Sequence, residues 1–341
     1  MPTVRQIAKD AGVSIGTVSR VLNNAGGVSE AARAQVLSAA NRSGYRAPEA
    51  KQATSIALLY TGVVCLGSPF DAAIMQGMSD GLDRAGLDLL VLSASRAHAR
   101  GERLSQMLLR KGVRGAVVRT DTETRNTVYD LAADHFPFVV LADEYPGESI
   151  ASIAAEADLA CRRAVEHLIQ LGHKRIAITL NLTDDHDHAV RLDAWRKVMS
   201  ENGLEPDPRL IHRVPAYRDA GAVALRQIMT CREQPTAVFC TDPLAAVGMC
   251  HEAQRTGVAI PDELSVLGFD DANNRFGTYP RLSAVCQDAE TLGRAAFTRL
   301  EQILNHRRGI ETQSHPVPAC WFEPHDTTAA VPTRADPHPA P

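Results

Sequence analysis

Short apolar runs alternate with amphipathic stretches over most of this 341-residue chain. Apolar runs of strand length predict β-strands at residues 56–60, 89–92, 116–118, 138–141, 176–179, 237–240 and 266–269. Stretches with helical periodicity lie between them, for example at residues 71–85, 158–171, 189–202 and 243–256. Repeated β-α units with apolar strands predict an α/β fold of doubly wound parallel sheets, and their number favours two similar lobes over one sheet.

The first 23 residues have a different pattern, which predicts two short helices joined by a turn. The apolar stripe of the first helix consists of Ile7, Ala8 and Ala11. Gly12-Val13 interrupts this pattern before Ser14, a favourable N-cap residue for the second helix. That second helix has one face of Val18, Val21 and Leu22 and an opposite face of Ile15, Gly16, Ser19 and Arg20. This is a helix-turn-helix, whose second helix fits the major groove of DNA and whose arginine can reach a guanine.

The same segment resembles the N-terminal signature of the LacI/GalR family of bacterial transcription regulators. The match is carried by AKDAGVSIGTVSRVLN at residues 8–23 and resumes at Val28-Ser29, Arg33, Val36 and Gly44-Tyr45. Ser29 is predicted to cap a third helix that ends at Gly44. The resemblance implies a helix-turn-helix DNA-binding domain over residues 1–46. The residues expected to contact DNA are Thr3, Ser14, Ile15, Gly16, Thr17, Ser19, Arg20, Asn23, Ser29, Arg33 and Lys51.

Two other interpretations of this segment stay open on the pattern alone. The helices could be an amphipathic pair in an ordinary core. Gly12-Val13-Ser14-Ile15-Gly16 also fits the G-x-S-x-G nucleophile elbow of hydrolases. That elbow needs a buried strand leading into the serine, whereas a polar helix precedes Ser14, so the pattern favours DNA binding over hydrolysis.

The rest of the chain resembles the same family through matching segments that are farther apart. The matching segments are LGHKRIAI at 171–178, PTAVFCTD at 235–242, IPDELSVLGFDD at 260–271 and Pro280-Arg281-Leu282. The resemblance implies a two-lobed, periplasmic-binding-protein-like effector-binding and dimerisation domain at residues 55–324. Lobe 1 is expected at about 55–156 and 289–316, and lobe 2 at about 157–286 and 317–324. Residues 325–341, rich in proline and polar residues, are predicted to form a disordered tail.

Residues 47–54 are expected to form a short hinge between the two domains. In the family this linker is longer, carries Pro-Asn and a leucine, and enters the minor groove as a helix. Here Glu49 replaces the asparagine, the segment is about half a dozen residues short, and no leucine is available as an apolar wedge. This difference predicts weakened or absent ligand control as one alternative.

Ligands of such sheets lie at the carboxyl ends of the strands, and two lobes would place those ends across a shared cleft. A sugar-like ligand needs carboxylates and a guanidinium for its hydroxyls and an aromatic or apolar wall for its ring. The resemblance places effector contacts at Arg191 and Asp270. Further candidates are Phe70, Asp71, Asp143, Tyr217, Asp242 and Gln287. As alternatives, Asp242 and Asp270 are N-caps, Arg191 is in a surface ion pair, and Tyr217 is in the core.

Composition and charge narrow the class of protein. The 45% hydrophobic and 22% charged residues are typical of a soluble globular protein, and no apolar run of membrane-spanning length or signal-peptide layout exists, so a cytoplasmic protein is expected. Residues 1–46 carry a formal charge of +4, which leaves −8 for the remainder of this −4 chain. The basic end suits a phosphate backbone.

No cofactor is expected, because a Walker loop and G-x-G-x-x-G are both missing. The seven scattered cysteines indicate neither disulfides nor zinc. The run Asp184-Asp185-His186-Asp187-His188 is predicted to be a solvated loop rather than a metal site.

The sequence therefore predicts a non-enzymatic regulator, expected to be a repressor of carbohydrate-metabolism genes. Its partners would be a near-palindromic double-stranded DNA operator, a small sugar or sugar derivative, and a second copy in a homodimer, with no membrane. A solute-binding protein of transport, or an enzyme with an appended DNA-binding domain, are the competing classes.

Overall fold

The computed structural model describes residues 3–22, 27–43, 54–64, 67–97, 102–145, 150–305 and 319–331. Asn23, Gly44, Lys51 and all of the predicted hinge except Thr54 lie outside these residues. The chain divides into two compact units. Unit 1 comprises Met1–Val64, Gln76–Ala154 and Gly293–Pro316, and unit 2 comprises Cys65–Met75, Ala155–Leu292 and Val317–Pro341.

The chain begins with a helical headpiece, α1 to α3, at Val4–Ala11, Ile15–Leu22 and Glu30–Ser43. Side chains cap each of the three helices, as the sequence predicts for Ser14 and Ser29: the backbone N–H groups of Gln6, Thr17 and Ala32 donate to Thr3 Oγ1, Ser14 Oγ and Ser29 Oγ. Gly12 ends α1 with φ of 65°, a conformation that glycine adopts without strain. The core shared by the three helices is built from Ile7, Ala8, Ala11, Val18, Val21, Val36, Leu37, Ala39 and Ala40.

The rest of unit 1 is built on a parallel sheet with strand order β2-β1-β3-β4-β5. Its strands β1 to β5 are Ser55–Tyr60, Asp88–Ser93, Val113–Arg119, Phe138–Leu141 and Ser152–Ile153. The helices in this part of the chain, α4 to α7, are Pro69–Ala85, Ala94–Ala97, Leu104–Arg110 and Thr127–Ala133, of which α4 belongs to unit 2 as far as Met75. All six residues of β1 are buried, as expected for a central strand covered on both faces.

Unit 2 contains a second sheet, of order β11-β10-β9-β8-β6-β7. Its strands β6 to β11 are Ile176–Asn181, Ile211–Val214, Ala237–Cys240, Ser265–Asp270, Ser283–Cys286 and Trp321–Glu323. Helices α8 to α11 are Asp158–Gln170, His186–Glu201, Arg218–Met229 and Pro243–Thr256, and α12, Ala289–Asn305, belongs to unit 1 from Gly293 onward. All the strand pairs are parallel except β10 with β11, which is antiparallel.

Helices cover both faces of the second sheet. On one face Phe239 of β8 packs with Trp195 of α9, and on the other Val238 packs with Ala224 and Met249 of α10 and α11. All of these side chains are fully buried. The predicted α/β fold of doubly wound parallel sheets is thus confirmed. Strands β5, β7, β10 and β11 were not predicted, because they are short or polar.

Two glycines bring α10 and α11 into backbone contact. A Cβ built on Gly221 would lie 2.0 Å from the Ala245 carbonyl oxygen, and one on Gly248 would lie 1.9 Å from that of Arg218. No side chain fits at either distance, so glycine is required at both positions.

The prediction of a disordered tail from residue 325 is wrong for residues 325–331. Thr327 is fully buried, and its Oγ1 donates to the Val266 carbonyl (2.6 Å) and accepts from the Ser283 N–H (2.8 Å). Val331 N donates to Leu171 O (3.0 Å). Hydrogen bonds to β9 and β10 thus order a segment whose composition alone indicates disorder. The remaining residues, 332–341, lie outside the described part of the chain.

Candidate functional site

Helix α2 presents the face that the sequence predicts. Val18 and Val21 are buried in the headpiece core, whereas Gly16, Ser19 and Arg20 are exposed and Ile15 keeps 49% of its surface open. A small and polar surface with one aliphatic side chain and one guanidinium is therefore available on this helix.

The other predicted DNA contacts have structural roles as well. Thr3, Ser14 and Ser29 cap the three helices, and the Ser14 and Thr17 hydroxyls lie 2.8 Å apart in a hydrogen bond. Arg33 on α3 is half-buried. Their contacts with DNA stay predictions, as do those of Asn23 and Lys51.

In unit 2, polar side chains collect where β6, β8, β9 and β10 end. Arg191, on α9, is 5% exposed, and its Nη1 donates to the Thr241 carbonyl (2.7 Å) beyond β8. Its guanidinium carbon lies 3.6 Å from the centroid of the Phe269 ring, and its Nη2 lies 3.8 Å from Asp187 Oδ2. The alternative of a surface ion pair is excluded, because the side chain is buried. In the described part of the chain its Nε has no hydrogen-bond partner.

The two aspartates that end β9 have different surroundings. Asp270 holds the following turn: its oxygens accept from the backbone N–H of Asn274 (2.8 Å) and Arg275 (3.2 Å) and from Arg275 Nη1 (2.7 Å). Asp270 therefore has the cap-like role that the sequence left open, and a contact between it and a ligand stays a prediction.

Asp271 is buried and accepts from Gln287 Nε2 at 3.1 Å. The pKa of Asp271 is raised to about 7, chiefly by burial; Arg191 acts to lower this pKa, and Asp242 and Asp270 act to raise it. Asp271 is not among the effector contacts that the sequence predicts. It follows Asp270 directly, so the signal was the second aspartate of the Gly-Phe-Asp-Asp segment.

Asp242 and Asp185 are both N-caps at this edge of the sheet. Asp242 accepts from the N–H groups of Leu244 (3.0 Å) and Ala245 (3.2 Å), and burial raises its pKa. Asp185 caps α9 by accepting from His188 N and lies 2.8 Å from His188 Nδ1. The prediction of a solvated loop at residues 184–188 is therefore wrong, because α9 begins at His186 and His188 is 8% exposed. His188 Nε2 has no hydrogen-bond partner among the described residues.

The remaining predicted effector contacts, Phe70, Asp71, Asp143 and Tyr217, have the following surroundings, and their contact with a ligand stays a prediction. Tyr217 precedes α10 with 53% of its surface exposed. Phe70 and Asp71 are buried in the first turn of α4. Asp143 belongs to unit 1, where it accepts from Thr120 Oγ1 (2.8 Å) and lies 3.3 Å from Arg125 Nη2.

The cysteine thiols, the possible metal ligands and the helix lengths of the described residues bear on other classes of function. Burial raises the pKa of the Cys161, Cys240, Cys250, Cys286 and Cys320 thiols to about 12, so they behave as small apolar side chains. Within the described ranges, no group of three or more His, Cys, Asp or Glu side chains could hold a metal ion. The helices of the described residues are all too short or too polar to cross a membrane.

Two family models match this chain. The model for bacterial regulatory proteins of the lacI family matches residues 3–47, and that for a periplasmic binding protein-like domain matches residues 165–323. Catabolite control protein A of Priestia megaterium is 27% identical over 311 residues, which cover 89% of this chain and 92% of that protein.

Solved structures share the fold. The transcriptional regulator CelR in complex with cellobiose is 24% identical, with a TM-score of 0.68 over 96% of this chain and 100% of that chain. The lac repressor dimer bound to operator and the anti-inducer ONPF is also 24% identical, with a TM-score of 0.67 over 96% of this chain and 99% of that chain.

Proposed function

We propose that this chain, a member of the LacI family of bacterial transcriptional regulators by the two domains it carries, is a sequence-specific DNA-binding repressor of carbohydrate-metabolism genes. The observation that carries the proposal is the outward face of α2. Its apolar side packs in the headpiece core, so its small and polar side, with Arg20, is exposed and can enter a major groove. The +4 charge of residues 1–46 favours the phosphate backbone.

The protein acts on DNA as a homodimer in the cytoplasm. Two headpieces related by a two-fold axis would read the two halves of a near-palindromic operator. The lac repressor, a structural neighbour of this chain, is a dimer on its operator.

The effector is a sugar or sugar derivative that contacts the polar cluster of unit 2. Arg191, Asp242 and Asp271 together offer a guanidinium and two carboxyls, which suit the hydroxyls of a sugar. Buried Arg191 Nε and His188 Nε2 would gain partners from such a ligand, and a buried polar atom without a partner is costly. CelR, which has a similar fold, binds cellobiose.

The first experiment is selection of genomic DNA fragments in vitro by the full-length protein at physiological salt. We expect recovery of a near-palindrome. Recovery of only weak, salt-sensitive and sequence-indifferent binding would contradict the proposal. On the recovered operator, Arg20→Ala should relax base preference at one position and cost about 1–3 kcal/mol. A uniform loss across all sequences would make Arg20 a phosphate contact.

The effector is tested by measuring operator release with a panel of mono- and disaccharides. Arg191→Ala should abolish the response that the wild type shows and leave ligand-free DNA binding intact. Arg196→Ala is the matched control, since Arg196 is an exposed arginine on the same helix. A normal response in Arg191→Ala would remove this residue from the site.

A regulator with weakened or no ligand control, caused by the short hinge, is the second candidate. Operator affinity is compared with and without the active sugar in the full-length protein and in a variant with a lengthened hinge. Identical ligand responses in the two proteins would remove the hinge as a cause.

A further inference from the structure

Ile15 is an aliphatic side chain on a surface that is otherwise small and polar. It occupies the first position of α2 with 49% of its surface exposed. The headpiece core is closed without it, because Ile7, Val18 and Val36 are fully buried. Among the described residues of the headpiece, core packing therefore does not explain an isoleucine at this position.

The surface that α2 is proposed to face offers an apolar partner. The major-groove edges of the bases carry hydrogen-bond donors and acceptors, and thymine alone adds a methyl group, at C5. The first residues of a recognition helix lie nearest the base edges. We propose that Ile15 recognises the 5-methyl group of a thymine in each operator half-site. This inference rests on the proposed function.

Gly16 supports a close approach of α2 to the bases. A Cβ built on Gly16 would have its nearest contact with Ser14 Oγ at 3.7 Å, which is ordinary van der Waals contact. The fold therefore does not require glycine here, unlike at Gly221 and Gly248. A residue without a side chain beside Ile15 lets the helix backbone move towards the base edges and brings the Ile15 methyl groups within reach of the thymine.

Three of the exposed positions of α2 then differ in what they select. Ile15 selects thymine through its methyl group, Gly16 offers no side chain for selection, and Arg20 selects guanine through its bidentate donors. The operator half-site is accordingly expected to contain an invariant thymine whose methyl group, rather than its hydrogen-bonding groups, is recognised.

The test uses the full-length protein and the operator recovered by genomic selection. Each thymine is replaced by uracil, first in one half-site and then in both, because uracil lacks the methyl group but keeps every hydrogen-bonding group of thymine. Binding is measured for the wild type, Ile15→Ala and Ile15→Val. Thermal unfolding checks that the variants fold as the wild type does, which is expected because the side chain is exposed.

We expect one thymine per half-site at which uracil lowers wild-type affinity by about fourfold, the effect of one buried methyl group. Ile15→Ala should bind the thymine and uracil operators equally, and Ile15→Val should keep the preference. A uracil effect that persists in Ile15→Ala, or an operator without any methyl-sensitive thymine, would overturn the inference and leave the proposed function standing. Failure to recover any operator would overturn both.

Discussion

At the scale of single residues, the adjacent Asp270 and Asp271 have different roles. Asp270 accepts from Arg275 and from backbone N–H groups, so it fixes a turn. Asp271 is buried beside Gln287 and Arg191, and burial raises its pKa to about 7. Asp271 is therefore a carboxyl that can change its protonation near neutral pH.

Asp271 should make the stability of unit 2 depend on pH. An unfolded aspartate loses its proton near pH 4, whereas folded Asp271 keeps its proton up to about pH 7. The free energy of unfolding should therefore fall as the pH rises between these values and be level above them. The Asp271→Asn variant should lack this dependence on pH. Its free energy of unfolding, compared with that of the wild type, should therefore rise by a few kcal/mol between about pH 4 and pH 7, since one pKa unit is worth about 1.4 kcal/mol.

Urea unfolding followed by tryptophan fluorescence from pH 4.5 to 8 measures this, because Trp195 and Trp321 both belong to unit 2. Asp270→Asn is the control. It should lower stability over the whole range, since it disturbs a buried ion pair and the turn. Parallel curves for Asp271→Asn and the wild type would contradict the prediction.

The sequence predicted the residues of α2 well and those of the polar cluster only partly. The cap at Ser14 and the two faces of α2 depend on local spacing, which a sequence contains. Asp270 and Asp271 differ because Asp270 accepts hydrogen bonds within the turn at residues 271–275, whereas Asp271 accepts one from Gln287, which follows β10. The spacing of residues along the chain does not reveal these contacts.

At the scale of elements, the contact between α10 and α11 should be intolerant of any side chain. Gly248→Ala would place a methyl group 1.9 Å from the Arg218 carbonyl oxygen, so the helices must separate, at a cost of about 2 kcal/mol or more. Gly277→Ala is the matched control, because no atom lies within 4 Å of its Cβ position. Urea unfolding should show a lower midpoint for Gly248→Ala only. Equal midpoints would mean that the helices are not held in backbone contact.

The segment at residues 325–331 should contribute to the stability of unit 2 through Thr327. Thr327→Val keeps the shape but leaves the Ser283 N–H without its acceptor, which should cost about 1–3 kcal/mol. The same change at half-buried Thr298, whose hydroxyl makes a solvent-exposed hydrogen bond, should have almost no effect, since water can replace that bond. Thermal unfolding of both variants measures the difference, and an unchanged Thr327→Val would contradict the docking of this segment.

Apolar runs predicted the buried parallel strands at nearly their observed positions, because such strands need apolar residues on both faces. Strands at the edge of a sheet do not need apolar residues on both faces. Strand β7 reads Ile-His-Arg-Val, and β11 has three residues with one pairing partner. The 325–331 segment was mistaken for disorder because its order comes from hydrogen bonds to β9 and β10 rather than from its own composition.

At the scale of the whole molecule, the N-terminal segment and the remainder of the chain carry charges of opposite sign. The first 46 residues carry +4 and the remainder −8. Operator affinity should therefore fall steeply with salt, by about 10³-fold between 50 and 200 mM if each dimer neutralises roughly six phosphates. Fluorescence anisotropy of a labelled operator measures the slope. An affinity that hardly changes over this range would show that phosphate contacts are few.

The two sheets share one strand order. Numbered within each unit, both run 2-1-3-4-5, and β11 is added at the edge of the second. The third strand of each is followed by the same dipeptide, Thr120-Asp121 in one and Thr241-Asp242 in the other. Asp121 accepts from the Thr124 N–H as Asp242 does from that of Ala245. Duplication and fusion of one ancestral gene segment would produce this pattern. Each half would then have kept the Thr-Asp turn while the residues around it changed.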